Sequence, residues 1–159
     1  VQRAQKLAQK KPFSGCPGMR AKQFQRSTAP AAGAACPSQL SQWPVQIKLA
    51  GVMAPYFDDA DLLIAADCTA YAYGNFHEKF IRGRISLIGC PKLDAVDYAE
   101  KLTAIFAAHS IRSVTVARME VPCCGGIEQA VQRAITASGK AISCHVTVIG
   151  TDGTIQEER

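Results

Sequence analysis

The sequence predicts an α/β protein, a three-layer sandwich built around a mostly parallel sheet of about four to five strands. Two observations lead to this class. From Trp43 onward, short runs of Val, Ile and Leu recur between Gly, Pro and Asp residues, a pattern typical of buried parallel strands. Helical segments alternate with these runs, and such alternation implies right-handed crossovers and a sheet covered on both faces.

Five segments are candidate strands because each is short and rich in Val, Ile or Leu. They are residues 45–49, 62–66, 85–88, 114–117 and 145–149. The clearest helix covers residues 95–109, with Asp94 as its cap and Val96 among its core-facing apolar positions. A second helix covers residues 126–139, where Gly139 supplies a left-handed cap.

Composition divides the chain into three parts. Residues 1–38 read as a basic, flexible arm or linker, residues 39–153 as the α/β domain, and residues 154–159 as a polar tail. The net charge of +5 is concentrated in the arm. Such an arm can contact nucleic acid or an acidic partner, but no aromatic stacking residues or recognition motif accompany it, so we favour a solvated linker.

The bulk composition indicates one globular domain without a membrane partner. The chain has 159 residues, 48% of them hydrophobic, and no apolar run approaches the roughly 20 residues of a membrane span. The sequence begins with Val and shows no leader pattern, so we expect a cytoplasmic protein and leave open that the chain is a fragment. Assembly into a homo-oligomer also stays open.

The cysteine content points to metal binding or redox chemistry. The chain has seven cysteines, an odd number without the even spacing of a secreted disulfide framework. No G-x-G-x-x-G motif, P-loop, H-E-x-x-H motif or nucleophile elbow occurs, so nucleotide-binding, metalloprotease and serine-hydrolase functions have no support.

Four of the cysteines follow predicted strands at their carboxyl ends. Cys68 comes after strand 62–66, Cys90 after strand 85–88, and the pair Cys123 and Cys124 after strand 114–117. Ligand sites in open parallel sheets lie beyond these ends, so we expect the four thiols to form a metal site at one edge. The alternative is that they are small buried side chains, which explains one cysteine more easily than four.

The kind of metal stays open at this point. Soft thiolates select zinc or an iron–sulfur centre, and three or four cysteines satisfy either tetrahedral zinc or a four-iron cluster. Cys123 and Cys124 precede a predicted helix start, where the positive end of the helix dipole stabilises thiolates. Adjacent cysteines do not usually ligate the same ion, so one of the two can contact the ligands without binding the metal or can bind a different iron of a cluster.

Other residues are weaker candidates. His77, Tyr73 and Glu120 are candidate groups around the site, with His77 also a candidate ligand, although an ordinary hydrogen-bonded histidine is the commoner case. Cys16 precedes a proline, as ferredoxin ligands often do, but has no C-x-x-C partner. Cys144, at the start of the last predicted strand, is expected to be structural.

Several sequence blocks resemble a family of anaerobe iron–sulfur proteins. The matching blocks are residues 38–46, 54–57, 60–68, 89–94 and 121–126, the last reading Val-Pro-Cys-Cys-Gly-Gly. Members of that family resemble a ferredoxin module with two 4Fe-4S clusters fused to this α/β domain. The resemblance implies a 4Fe-4S cluster, electron transfer and a redox partner protein. This chain departs from the family because it lacks the C-x-x-C-x-x-C run of the ferredoxin module.

A fainter resemblance is to the β-type carbonic anhydrases, which hold zinc through a cysteine after the first strand and a Cys-Gly-Gly before a helix. That family has an Asp and an Arg after its first ligand, whereas Thr69 and Ala70 follow Cys68 here. Val121 stands where its histidine ligand would fall. Hydration of carbon dioxide needs that second shell, so the resemblance does not extend to this activity.

Three hypotheses follow from the sequence. The leading one is a redox module in which Cys68, Cys90 and one or both of Cys123 and Cys124 hold an iron–sulfur cluster and exchange electrons with a partner. The second is a zinc- or thiol-dependent enzyme that uses the same pocket, with His77 or Glu120 as a proton carrier. The third is an interaction domain whose cysteines are inert.

Overall fold

The computed structural model describes residue 33 and residues 35–159. They form one sheet of five strands in the order β2-β1-β3-β4-β5. The first four strands are parallel, and β5 runs antiparallel to β4. The strands are β1 (Asp61–Ala66), β2 (Ile85–Gly89), β3 (Ser113–Met119), β4 (Ser143–Ile149) and β5 (Ile155–Glu158). The predicted α/β class with a mostly parallel sheet is confirmed.

The inner strands are buried on both faces of the sheet, which favours apolar residues at nearly every position. In β1, Leu62, Leu63, Ile64 and Ala65 are fully buried although they alternate between the two faces. The strands β1 and β3 pair in register, with Leu62 opposite Val114. Four of the five predicted strands are confirmed: residues 62–66, 85–88, 114–117 and 145–149 lie within β1, β2, β3 and β4.

Within the described residues, three α-helices accompany the sheet: α1 (Thr69–Ala72), α2 (Tyr98–Ala108) and α3 (Gly125–Ser138). The larger core lies where α2 and α3 pack on one face, and it includes Ile64, Leu102 and Ile127. The other face carries a π-helical turn (His77–Ile81) and a smaller core that includes Phe80. The sheet thus lies between two layers.

The two long helices begin and end close to their predicted positions. The helix predicted for residues 95–109 is α2, but Asp97 rather than Asp94 caps it, because the Asp97 side chain accepts a hydrogen bond from the Ala99 amide at 3.0 Å. Val96 therefore precedes the helix and is 46% exposed instead of facing the core. At the end of α3, Gly139 has the predicted left-handed conformation, with φ of 70°.

The predicted strand at residues 45–49 is wrong. Only Gln46 bridges to the sheet, beside Ile88 at the outer edge of β2. The amides of Leu49 and Ala50 then both donate to the Gln46 carbonyl, each at 3.0 Å, so the backbone turns instead of continuing as a strand. The apolar side chains of this segment lie in two different environments, since Ile47 is buried and Leu49 is 70% exposed.

The segment expected to be a polar tail, residues 154–159, contains β5. Arg159 and Val146 exchange two backbone hydrogen bonds, of 2.7 and 3.0 Å. A hairpin at the edge of a sheet forms through backbone pairing and does not need apolar side chains. The sheet therefore extends beyond the predicted domain boundary at residue 153. The predicted arm, residues 1–38, lies mostly outside the described residues.

No helix in the described part of the chain combines the length and the apolar content that crossing a membrane requires.

Candidate functional site

The order of the strands places a crevice between β1 and β3. From β1 the chain crosses to β2 on one side, and from β3 it crosses to β4 on the other side. In open parallel sheets the carboxyl ends of two such strands flank the usual ligand position, because the connections leave in opposite directions. The residues after β1 and β3 are therefore the first candidates for a site.

The four predicted site cysteines lie at this carboxyl edge. Cys68 is the N-cap of α1 and is separated from β1 by Asp67 alone, and Cys90 directly follows β2. Cys123 and Cys124 lie in the 3-10 turn Pro122–Cys124 between β3 and α3. Three neighbouring strands thus deliver thiols to one edge of the sheet.

Backbone contacts draw the three connections together. The amide of Asp67 donates to the Gly89 carbonyl at 3.1 Å, which extends the pairing of β1 and β2 by one residue. The turn after Cys90 also packs against the first turn of α3, where a Cβ on Gly126 would lie 3.0 Å from Cβ of Pro91. Glycine at position 126 permits this close approach.

Burial and neighbouring charges oppose the ionisation of two of the four thiols, Cys68 and Cys124. Burial raises the pKa of Cys68, and the charges of Cys90, Asp67 and Cys123 raise it further. Burial raises the pKa of Cys124 to about 11, with smaller contributions from the other three thiols. The four thiols are therefore near enough to influence one another's charge, and a cation at this edge would favour their thiolate forms.

The four thiols differ in accessibility. Cys68 is exposed, Cys90 and Cys123 are half-buried, and Cys124 is buried, with 5% of its surface exposed. Among the residues that the structure describes, no three His, Cys, Asp or Glu side chains are arranged around a common point as ligands of one ion. The fold brings the thiols to the same edge without closing them around a metal.

A polar cluster beside Cys90 was not predicted from the sequence. The Tyr98 hydroxyl donates to Oδ2 of Asp94, and burial and this carboxylate hold the pKa of Tyr98 well above its usual range. The ring lies so close to Gly89 that a Cβ there would be 2.6 Å from Cζ. The signal in the sequence was the glycine before Cys90, because a glycine in a strand often marks a position where another group approaches the backbone closely.

Asp67, between β1 and Cys68, was also missed. Burial raises the pKa of Asp67, and the charge of Asp94 adds to the shift, while a hydrogen bond from Gln46 opposes it. Its Oδ1 atom is buried and has no hydrogen-bond partner among the described residues. A carboxyl group directly before Cys68 is therefore part of the site, and its position next to a predicted ligand was the signal that could have found it.

The residues predicted around the thiols are occupied by other contacts. Nδ1 of His77 accepts a hydrogen bond from the Gln39 amide at 3.1 Å. The ring of Tyr73 packs edge-on against Phe80, with 5.4 Å between ring centroids. Glu120 accepts hydrogen bonds from the amide and hydroxyl groups of a neighbouring threonine, Thr151, both at 2.9 Å.

Two further cysteines complete the set of earlier candidates. Cys16 lies outside the described residues. Cys144 is half-buried on β4 and accepts a hydrogen bond from Nε2 of Gln132 on α3 at 3.6 Å. It packs against the larger core, as expected of a structural cysteine.

An open parallel sheet with a crevice at its switch point defines a Rossmann-like α/β protein. Residues 54–159 match the family of Rossmann-like domains, and the chain belongs to this family. It is also similar to an uncharacterized protein of Archaeoglobus fulgidus, with 28% identity over 118 residues, which cover 74% of this chain and 84% of the relative. No solved structure matches the chain. These comparisons agree with the fold and leave the chemistry of the site to its residues.

Proposed function

We propose that this protein is a redox module that holds a thiolate-ligated metal centre, with a 4Fe-4S cluster as the leading assignment, at the carboxyl edge of its sheet. The observation that carries the proposal is the arrival of Cys68, Cys90 and Cys123 from three neighbouring strands, with Cys124 directly beside them. Three separate crossover connections converge on this edge, and packing of the core alone does not require a thiol at each one.

The donor set fits a soft metal. Thiolates are the ligands that zinc and iron–sulfur centres share. The charges of Cys90 and Cys123 act on Cys68, and a bound cation would oppose this repulsion and favour thiolates. Cys123 and Cys124 also precede the 14-residue helix α3, whose positive dipole end favours thiolates.

The family resemblance favours iron–sulfur over zinc. The blocks 60–68, 89–94 and 121–126 resemble those of anaerobe iron–sulfur proteins and include all four thiols. A cluster at this edge would supply one-electron transfer. The exposed position of Cys68 would then let a redox partner protein approach closely, and a reducing cytoplasm would keep the thiols available as ligands.

A zinc- or thiol-dependent enzyme is the second candidate. The observation that favours it is Asp67, whose buried Oδ1 atom has no partner among the described residues. A carboxylate beside a metal site can accept a hydrogen bond from a metal-bound water and orient it. Zinc without sulfide in the purified protein would select this candidate.

The test is anaerobic purification of the full chain, followed by iron, zinc and acid-labile sulfide analysis and an absorbance spectrum. Iron with sulfide supports the redox module, zinc alone supports a zinc enzyme, and a folded protein without metal contradicts both metal-dependent functions. Alanine variants of Cys68, Cys90 and Cys123 should each lose the centre. The matched control is Cys144→Ala, which should retain it because this thiol packs on the helix-covered face.

A further inference from the structure

We propose that a cleft between the π-helical turn and β5, on the face of the sheet that carries the smaller core, binds a small phosphate monoester. The cleft has a volume of about 520 Å³, which lies in the range of small-molecule sites. The lining residues that matter for binding are Lys79, Arg84, Thr115, Thr147, Glu158 and Arg159. None of the four thiols lines the cleft, so this site is separate from the proposed metal centre.

The floor of the cleft is polar although it belongs to two inner strands. Successive side chains of a strand point to opposite faces, and Val114 and Val116 of β3 belong to the larger core. Thr115 therefore faces the other side, and Thr147 of β4 lines the same cleft. Both residues are buried, yet neither hydroxyl makes a hydrogen bond within the described part of the chain. Two hydroxyl donors are thus available to a ligand.

Arg84 supplies a cation that is held in position without a ligand. Its side chain is half-buried, and Nη1 donates to the carbonyls of Lys79 and Phe80 at 3.1 and 3.0 Å. The other two nitrogens, Nε and Nη2, make no hydrogen bond to the residues that the structure describes. These two nitrogens form a planar fork whose parallel N–H groups match two oxygens of a phosphate group.

No carboxylate of this chain neutralises Arg84. All thirteen acidic residues belong to the described part of the chain, because none occurs before residue 58, and none forms an ion pair with Arg84. The other two cations of the cleft are paired, Arg159 with Glu128 at 2.5 Å and Lys79 with Glu158 at 2.7 Å. A half-buried cation without a counter-ion favours an anionic ligand.

The donors fit a phosphate group better than a carboxylate. A phosphate monoester presents three acceptor oxygens and a charge of about −1.5 to −2 at pH 7, whereas a carboxylate presents two oxygens and a single charge. The fork of Arg84 and the hydroxyls of Thr115 and Thr147 together offer four donors. The volume of the cleft leaves room for an organic group on the phosphate.

Titration calorimetry of the full chain at fixed ionic strength tests the ligand class, with phenyl phosphate, inorganic phosphate and acetate as probes. We expect one phenyl phosphate per chain, bound on the order of tenfold more tightly than acetate. Inorganic phosphate should bind more weakly than phenyl phosphate, because part of the cleft stays empty. Absence of saturable phenyl phosphate binding, or an equal affinity for acetate, would overturn the site. An equal affinity for inorganic phosphate would overturn the monoester assignment.

Arg84→Gln tests the anchoring cation. It should weaken phenyl phosphate binding by roughly tenfold to a hundredfold, since a charged hydrogen-bond donor is lost. The matched control is Arg82→Gln, because Arg82 pairs with Glu78 on the surface and does not line the cleft. The control should change the affinity by less than about twofold. Circular dichroism reports whether each variant folds. Unchanged affinity in folded Arg84→Gln, or an equal loss in the control, would refute the assignment.

Three further variants keep the test independent of the turn that Arg84 holds. Thr115→Val and Thr147→Val each remove one hydroxyl at nearly constant volume and should weaken binding by about threefold to tenfold. Glu158→Gln releases Lys79 from its ion pair and should tighten binding by about twofold to fivefold, a gain that unfolding does not produce. Full affinity in both valine variants, or weaker binding in folded Glu158→Gln, would contradict the proposed site.

Discussion

Replacing Gly89 by alanine should destabilise the protein although the backbone at this position accepts alanine. Gly89 does not have a positive φ, but its Cβ would lie 2.6 Å from Cζ of Tyr98. Tyr98 is only 3% exposed and donates a hydrogen bond to Asp94. Normal carbon–carbon contact begins near 3.5 Å, so the ring would have to retreat by about 1 Å.

The expected free energy follows from three contributions. Overpacking of a core costs about 1–3 kcal/mol, and weakening the Tyr98–Asp94 hydrogen bond adds about 1 kcal/mol. Alanine also reduces the conformational entropy of the unfolded chain, which stabilises the folded protein by about 0.4–1 kcal/mol. The net loss is about 2 kcal/mol, which corresponds to a decrease in Tm of about 4–8 °C for a chain of this size.

Urea unfolding monitored by circular dichroism measures this loss, with an unchanged m-value as the sign that only stability has changed. The matched control is Gly125→Ala. A Cβ on Gly125 would meet nothing within 4 Å, and its backbone is already helical. This variant should be as stable as the wild type or up to about 1 kcal/mol more stable. Equal stability of the two alanine variants would refute the packing argument.

Two further predictions concern the far end of the sheet. His109→Ala should lower the free energy of unfolding in urea by about 2–4 kcal/mol, because this buried ring contacts Asp58 at 2.6 Å and a backbone carbonyl at 2.8 Å. The control is His145→Ala at an exposed site, which should change the free energy of unfolding by less than about 0.5 kcal/mol. A hydrogen bond from Ser113 lowers the pKa of Asp61, so its stabilisation is complete above the ordinary aspartate pKa and is lost as the pH falls through the lowered one. Ser113→Ala should therefore be less stable than the wild type by about 0.5–1 kcal/mol near pH 6, and a gap that stays constant down to pH 2 would contradict this linkage.

Burial explains which strands the sequence could predict. Residues 62–66 and 114–117 are strands that are buried on both faces. They are apolar throughout except at Thr115, and such runs are typical of buried strands. Residues 45–49 also carry Val, Ile and Leu, but they make a single bridge at the edge of β2 and then turn. The strand β5 is mostly exposed and held by backbone pairing with β4, and backbone pairing leaves no apolar pattern in the sequence.

The candidate site was predictable to the same extent. Parallel topology alone sends Cys68, Cys90 and Cys123 to one edge, so their order along the chain was enough to group them. The burial of Cys124 was not predictable, because it depends on the direction of one side chain in a 3-10 turn. The Tyr98 contact was not predictable either, since it joins a helix to a glycine nine residues earlier through side-chain packing.

The packing that stabilises the fold also holds the turn that carries Cys90. Gly89 and Gly126 are positions where an added Cβ would meet a neighbouring ring, Tyr98 in one case and Pro91 in the other. Each contact holds the turn that carries Cys90, one from the side of α2 and one from the side of α3. Displacement of that turn would therefore alter stability and the position of a predicted ligand together. Glycine at these two positions therefore serves the packing and the placement of Cys90, whereas a Cβ on Gly125 would meet nothing within 4 Å.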